Sequence, residues 1–256
     1  MALFFIDNNQ VMKRQIRYFM FQLTIFILLL GIGQLIRAQD KPVVIITQDG
    51  EVDDRSSFVR FLLYTPDVDL RGVIATNSKW QKNGHGLDWI YEAYDLYGLV
   101  RDNLLLHNPD YPTVDFLKSI TVLGNEDPEH LTGEAPYVDS DGSELILKEL
   151  LKIQDDLLHI NCWGGVNTVA QALWKFRENY PDEFAKNISK VRVIAISFQD
   201  EAGNWIVNNI PEVRIIRNSA FHMTWNYHNR EPLKHNPYPL MMSEKWLNEN
   251  VKKNHG

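Results

Sequence analysis

Acidic side chains crowd one short stretch of the chain: Asp49, Glu51, Asp53 and Asp54 follow directly on the apolar run Val43-Val44-Ile45-Ile46. Carboxylates this close repel one another when ionised. A bound cation is the simplest compensation, because positive charge nearby favours the ionised form. Two plainer readings compete. Asp49-Gly50 suits a hairpin turn, and Asp53 or Asp54 suits the N-terminus of a helix, where a carboxylate meets free N–H groups and a favourable dipole. The helical periodicity that follows disfavours the hairpin, and capping accounts for only one of the aspartates. The acids therefore read first as a metal site.

The elements that must hold them are legible on either side. A continuous apolar run over residues 43–46 suits a strand buried on both faces, as in a parallel sheet. Residues 56–64 read as a helix with Phe58, Phe61 and Leu62 on one side. In open α/β sheets ligands bind at the carboxyl ends of the strands, so the acids should line that crevice. A second strand over 70–75 completes a βαβ unit with a right-handed crossover, and Thr76, Asn77, Ser78, Lys79 and Trp80 then face the same crevice. A helix is predicted over 88–99. Residues 107–142 read as a long loop with short helices, forming a site wall. A further helix starts near 141–143, capped by a serine or aspartate, and runs through Leu151.

Residues 157–163 form another buried strand, followed by Gly164-Gly165 and a helix over 166–176. Paired glycines let a backbone approach a ligand closely, and a tight turn required by packing explains them equally well. A strand over 191–197 leads to Gln199 and Asp200, a short helix surrounds Trp205, and a last strand covers 213–216. Strands alternating with helices make the fold α/β with a mostly parallel open sheet flanked by helices.

The 256 residues are 45% hydrophobic and 23% charged, with a net charge of −7, which suits one globular domain. Net acidity argues against nucleic acid as a partner, since phosphate binding wants a basic patch. Lys13, Arg14 and Arg17 precede an apolar stretch over about residues 19–36, followed by Arg37-Ala38-Gln39. This pattern predicts a secretory signal over residues 1–39, with Met12 a candidate start, and a domain over 40–256. The alternative is an uncleaved membrane anchor. Cleavage predicts a secreted or periplasmic protein with no membrane span. Cys162 is the single cysteine, so no internal disulfide forms, and its apolar strand makes it a packed thiol. His222, Trp225, Tyr227, His228, Arg230 and His235 cluster near the end. The aromatics suit stacking on a sugar or base, and the irregular histidine spacing argues against zinc.

Two blocks carry a resemblance to a known family. The strand followed by Asp49, Asp53 and Asp54 resembles the Asp-x-Asp-Pro-Gly-x-Asp-Asp signature of the inosine–uridine nucleoside hydrolases. Thr47 stands at the first aspartate, and Gly50-Glu51 replaces Pro-Gly. Asn161-Cys162-Trp163-Gly164-Gly165-Val166-Asn167-Thr168 resembles that family's Gly-Gly-Leu-Thr-Asn turn, with the last two residues swapped. Residues 76–80 and 197–200, with Gly203 and Trp205, are similar to a secreted branch described as cellulose-binding with a nucleoside-hydrolase-like domain.

The resemblance implies a calcium ion held by Asp49, Asp54 and the Trp163 carbonyl. It implies Asp49 as the base that takes a proton from water attacking an anomeric carbon, and Asp53 as the residue that holds ribose hydroxyls. Carboxylates around the site would stabilise positive charge growing on the sugar ring. Asn77, Lys79, Gln199 and Asp200 are further substrate-binding candidates from the same crevice, and His222 or His228 is the candidate for protonating the leaving group. The first expectation is thus a calcium-dependent hydrolase of N-glycosidic bonds acting on a nucleoside or other sugar-containing small molecule. The alternative is a carbohydrate (cellulose)-binding protein, with a polysaccharide as a candidate partner and weak or no catalysis. The family closes its metal site with an aspartate near the C-terminus. No aspartate follows Asp200, which predicts either a domain incomplete at its C-terminus or a site that has lost a ligand.

Overall fold

The computed structural model describes residues 41–130, 138–154, 156–218 and 244–253, with residues 20 and 22. The described residues from 42 onward belong to one compact unit. Apart from residues 20 and 22, the predicted signal lies outside the described residues, as do His222, Trp225, Tyr227, His228, Arg230 and His235. Among the described residues no helix is long and apolar enough to cross a membrane.

The chain runs β1 (Val43–Gln48), α1 (Val52–Leu62), β2 (Asp69–Ala75), α2 (Asp88–Leu105), α3 (Val114–Ser119), β3 (Thr121–Leu123), α4 (Asp141–Lys152) and β4 (Leu158–Cys162). It continues with α5 (Asn167–Asn179), α6 (Pro181–Asn187), β5 (Val191–Ile196), α7 (Ala202–Asn209), β6 (Arg214–Asn218) and α8 (Glu244–Leu247). The six strands form one sheet in the order β3-β2-β1-β4-β5-β6. Every pairing is parallel.

β1 is buried on both faces, as its unbroken apolar run requires. Ile45 belongs to a core with α4, α5, α6 and α7. Val44 and Ile46 belong to a second core with α1, α2 and α3. Each large apolar side chain buried this way contributes about 1.5–3 kcal/mol. Phe58 of α1 meets Trp89 of α2 edge-on, ring centroids 5.7 Å apart, and so fixes the helix that follows the acids.

Three elements differ from expectation. α1 starts at Val52 because its polar first turn, which periodicity does not register, is helical too. α2 extends to Leu105. Residues 107–142 contain the short helix α3, as expected, and also the three-residue strand β3, which is too short to show alternation. The cap of α4 is Ser140, whose Oγ accepts from Ser143 N–H while Ser140 N–H donates to Ser143 Oγ.

From β1 the chain winds outward through β2 to β3, and from β4 it winds the other way through β5 to β6. β1 and β4 are therefore the central neighbours, with Thr47 level with Cys162. The loops leaving them diverge over opposite faces and open a crevice, the place where α/β sheets bind ligands. Asp49 follows one of these strands and Trp163 the other.

Candidate functional site

Gly50 turns the chain out of β1 at φ 79°, a conformation that glycine adopts without strain. A Cβ there would also lie 3.0 Å from both His85 Cβ and Trp89 Nε1. The turn folds the acids onto the backbone. Asp54, in the first turn of α1, accepts hydrogen bonds on Oδ2 from the N–H groups of Asp49 and Gly50, both at 3.0 Å. Glu51 N–H donates to Asp49 Oδ1 at 3.2 Å. His85 Nδ1 donates to the Asp49 carbonyl at 2.9 Å, and Arg55 Nε to the Gly50 carbonyl at 2.9 Å.

Asp49, Asp53 and Asp54 are 2%, 8% and 4% exposed. Burial without compensation is costly for ionised groups, and two neighbouring carboxyls, those of Asp54 and Glu51, are raised by it. The Asp54 carboxyl is held well above the usual carboxylate range. Burial is the largest cause, then the adjoining Asp49 carboxyl and the charges of Asp49 and Asp53, with the Asp49 backbone N–H opposing them. Glu51 is also raised, first by burial and then by Asp49 and Asp53, against the hydrogen bond from Gln81 and the positive influence of His85. Asp49 Oδ2 and Asp53 Oδ1 are buried with no hydrogen-bond partner. Gln48, the last residue of β1, is fully buried with neither amide atom bonded. Unsatisfied polar groups thus gather at one strand end.

The opposite wall is the turn after β4. Trp163 N–H donates to the Thr47 carbonyl at 2.8 Å, and Gly165 N–H to the Asn77 carbonyl at 3.0 Å. The two glycines admit protein and not ligand. A Cβ on Gly164 would lie 2.8 Å from Asp49 Cβ, and one on Gly165 would lie 2.5 Å from the Asn77 carbonyl and from Asp200 Oδ2. The Trp163 carbonyl accepts from Gln199 Nε2, which also donates to the Ile196 carbonyl at 3.2 Å. A carbonyl oxygen keeps a second lone pair for another partner.

Asp200 acts on the same turn. Its Oδ2 accepts from the N–H groups of Val166 at 2.7 Å and Asn167 at 2.9 Å, so the N-terminus of α5 is capped from the loop after β5. Burial pushes this carboxyl up to about 7 against the opposing N–H groups of Asn167, Val166, Gly203 and Ala202. Ser197, at φ 61°, ends β5 in the left-handed region and redirects the chain toward Gln199 and Asp200.

Asn77 serves the interior. Its Nδ2 donates to the carbonyls of Lys82 at 2.8 Å and Asp127 at 3.0 Å, and its Oδ1 accepts from Asn167 Nδ2. Beside it, Thr76 Oγ1 bonds Asn125 O, Asn167 Oδ1 and Thr168 Oγ1 within 3.0 Å. Lys79 is exposed, with its N–H donating to the Gln199 carbonyl at 2.7 Å. The structure therefore groups Asp49, Asp53, Asp54, Trp163 and Gln199 in one crevice. It gives Asn77 and Asp200 internal hydrogen bonds and leaves Lys79 at the rim. The contacts that His85, Gln81, Thr76 and Asn167 make carry no signal in the linear sequence, because their partners lie tens of residues away. Cys162 is buried, and burial pushes its thiol up to about 12, as a packed thiol should be.

Among the described residues no three histidine, cysteine, aspartate or glutamate side chains converge as a ready-made metal site. The donor set nevertheless fits a hard cation: two orphaned, buried carboxylate oxygens and a carbonyl are the oxygen ligands calcium takes. A half-open cavity of about 230 Å³ lined by Val43, Arg71, Glu149 and Lys152 lies at the other, amino-terminal edge of the sheet, away from these groups.

An all-parallel sheet whose winding reverses between β1 and β4, with an aspartate cluster and a glycine turn at that point, defines a doubly wound α/β domain with its candidate site at the switch point. Residues 43–256 match the family described as "Cellulose-binding Sde182, nucleoside hydrolase-like domain", and the chain belongs to that family. Among solved structures it is similar to a nucleoside hydrolase-related hypothetical protein from Saccharophagus degradans that is associated with carbohydrate metabolism. The two share 30% identity at a TM-score of 0.65, over 79% of this chain and 51% of that one. This chain thus spans about half the length of that protein. No curated protein matches the chain.

Proposed function

We propose that this chain is a carbohydrate-recognising domain that binds a neutral sugar at the carboxyl edge of β1 and β4, with calcium held beside it by Asp49, Asp53, Asp54 and the Trp163 carbonyl. One observation carries the reading: Asp49 Oδ2 and Asp53 Oδ1 are buried and unpartnered. Such oxygens call for a cation or for hydroxyl donors, and a sugar diol supplies hydroxyls. The family's cellulose-binding description and the carbohydrate association of the Saccharophagus degradans relative support it. The N-terminal basic and apolar segment supports a secreted or periplasmic location, where polysaccharide is met.

A second reading, hydrolysis of an N-glycosidic bond, draws on the same Asp49 oxygen. A carboxylate oxygen with no partner is available as a general base toward water. The charges of Asp49 and Asp53 would stabilise cationic character growing on a sugar ring. Calcium, when bound, supplies positive charge that lets the carboxylates stay ionised together and acidifies nearby water.

Calorimetric titration of the purified protein with cellohexaose and with inosine, in calcium and in chelator, tests both readings. Free base and reducing sugar are measured in parallel. The expected result is cellohexaose binding that needs calcium and is lost in Asp49→Asn and Asp53→Asn. Absence of sugar binding in either condition sinks the first reading, and absence of base release sinks the second.

A further inference from the structure

We infer that Trp80 is the platform on which a pyranose ring of a neutral glucan stacks at the mouth of the acid crevice. The inference deepens the carbohydrate reading above and rests on it. Six tryptophans are described, and five of them, at 89, 163, 174, 205 and 246, are buried or half-buried. Trp80 is 64% exposed. An exposed indole forgoes the burial that makes tryptophan favourable in a fold and leaves its ring face open to a ligand.

The display is held firmly. Trp80 sits in the turn after β2, where Ser78 Oγ accepts from the N–H groups of Trp80 at 3.1 Å and Gln81 at 3.2 Å. Two further bonds tie this turn to the walls of the crevice. Gln81 Nε2 donates to Glu51 Oε1 at 3.1 Å, within the acid loop. Lys79 N–H donates to the Gln199 carbonyl at 2.7 Å, and Gln199 in turn holds the Trp163 carbonyl. The turn that carries the indole is thereby tied to the acid loop and to the loop after β5. Pre-set geometry of this kind reduces the ordering cost of binding.

The chemistry selects the ligand class. Lys79 Nζ lies 5.0 Å from the Trp80 ring centroid, so a cation already attends the ring's electron-rich face. The remaining ring surface is apolar and flat. A pyranose in its chair presents an apolar C–H face of similar size, with hydroxyls around its rim, and satisfies indole and carboxylates at once. The negative charge at Asp49, Glu51 and Asp53 disfavours anionic sugars and phosphates. Repeating neutral pyranoses, as in a β-glucan, fit both the platform and the acids.

Cellohexaose is the probe. Its affinity for wild type, Trp80→Ala and Trp80→Phe is measured by calorimetry in calcium, with acrylamide quenching of tryptophan emission recorded beside it. The expected result is a loss of about tenfold or more in Trp80→Ala and retention within about threefold in Trp80→Phe. Melting temperature should be unchanged in both, as suits an exposed side chain. Cellohexaose should protect emission from acrylamide in wild type and not in Trp80→Phe. Wild-type binding with equal affinity in Trp80→Ala overturns the platform and leaves the carbohydrate reading standing. No wild-type binding overturns both.

Discussion

Gly164 lies so close to Asp49 that a Cβ added to the glycine would sit 2.8 Å from the aspartate's Cβ and 3.0 Å from its backbone nitrogen. The turn after β4 and the acid loop after β1 are therefore fitted to each other, and a methyl group at this place must move Asp49. Gly164→Ala is expected to destabilise the domain by about 1–3 kcal/mol, the usual cost of overpacking. It should also abolish the rise in melting temperature that the proposed calcium site predicts. A calorimetric scan with calcium and with chelator measures both effects, and an unchanged calcium response would show that Asp49 does not contribute to ion binding.

Asp54 is buried and crowded by Asp49 and Asp53, yet its Oδ2 accepts two backbone N–H groups that any replacement must still satisfy. Asp54→Asn keeps an acceptor oxygen there and removes the repulsion. Its melting temperature in chelator should rise by about 2–4 °C, the shift that roughly 1 kcal/mol produces in a domain of this size. In calcium the variant should gain nothing further. A fall in stability in chelator would mean that the charge itself is needed to hold the loop.

Asp200 makes stability depend on pH in a direction its burial fixes. Its carboxyl is raised to about 7, whereas an unfolded aspartate titrates near about 3.9. Between those values the folded state holds the proton more tightly than the unfolded state. Stability contributed by this group is therefore fully present below about pH 4 and is lost as pH rises toward 7. Urea unfolding across that range should show a downward slope that is reduced in Asp200→Asn, whose amide oxygen still accepts from Val166 and Asn167. A steeper slope in the variant would contradict the assignment.

Two crevice candidates should separate cleanly by what they affect. Removing the Asn77 side chain takes away the buried partner of Asn167 Nδ2 and ends the bonds to the Lys82 and Asp127 carbonyls. Asn77→Ala is expected to lose about 1–3 kcal/mol of stability. Lys79 is exposed and contacts the Trp80 ring, so Lys79→Ala should leave melting temperature unchanged and weaken cellohexaose binding a few-fold. Chemical denaturation and calorimetry of the two variants side by side decide the matter.

The sequence by itself determined the layered α/β architecture. The run from Val43 to Ile46 has no polar side to show water, so it had to be covered on both faces, and the 3.6-residue pattern around Phe58, Leu151 and Val169 marked the helices that cover it. The acids at 49, 53 and 54 were legible for the same reason: they are local, and their spacing survives in the linear chain. Tertiary structure alone decided how they are used. Asp54 bonds backbone five residues behind it, Asp200 caps a helix that begins 33 positions earlier, and Asn77 meets Asn167 across 90 residues. Trp80 is exposed while Trp89 is buried. Hydrogen-bond partners and exposure at such separations are set by which strands lie side by side, and no local periodicity encodes that choice.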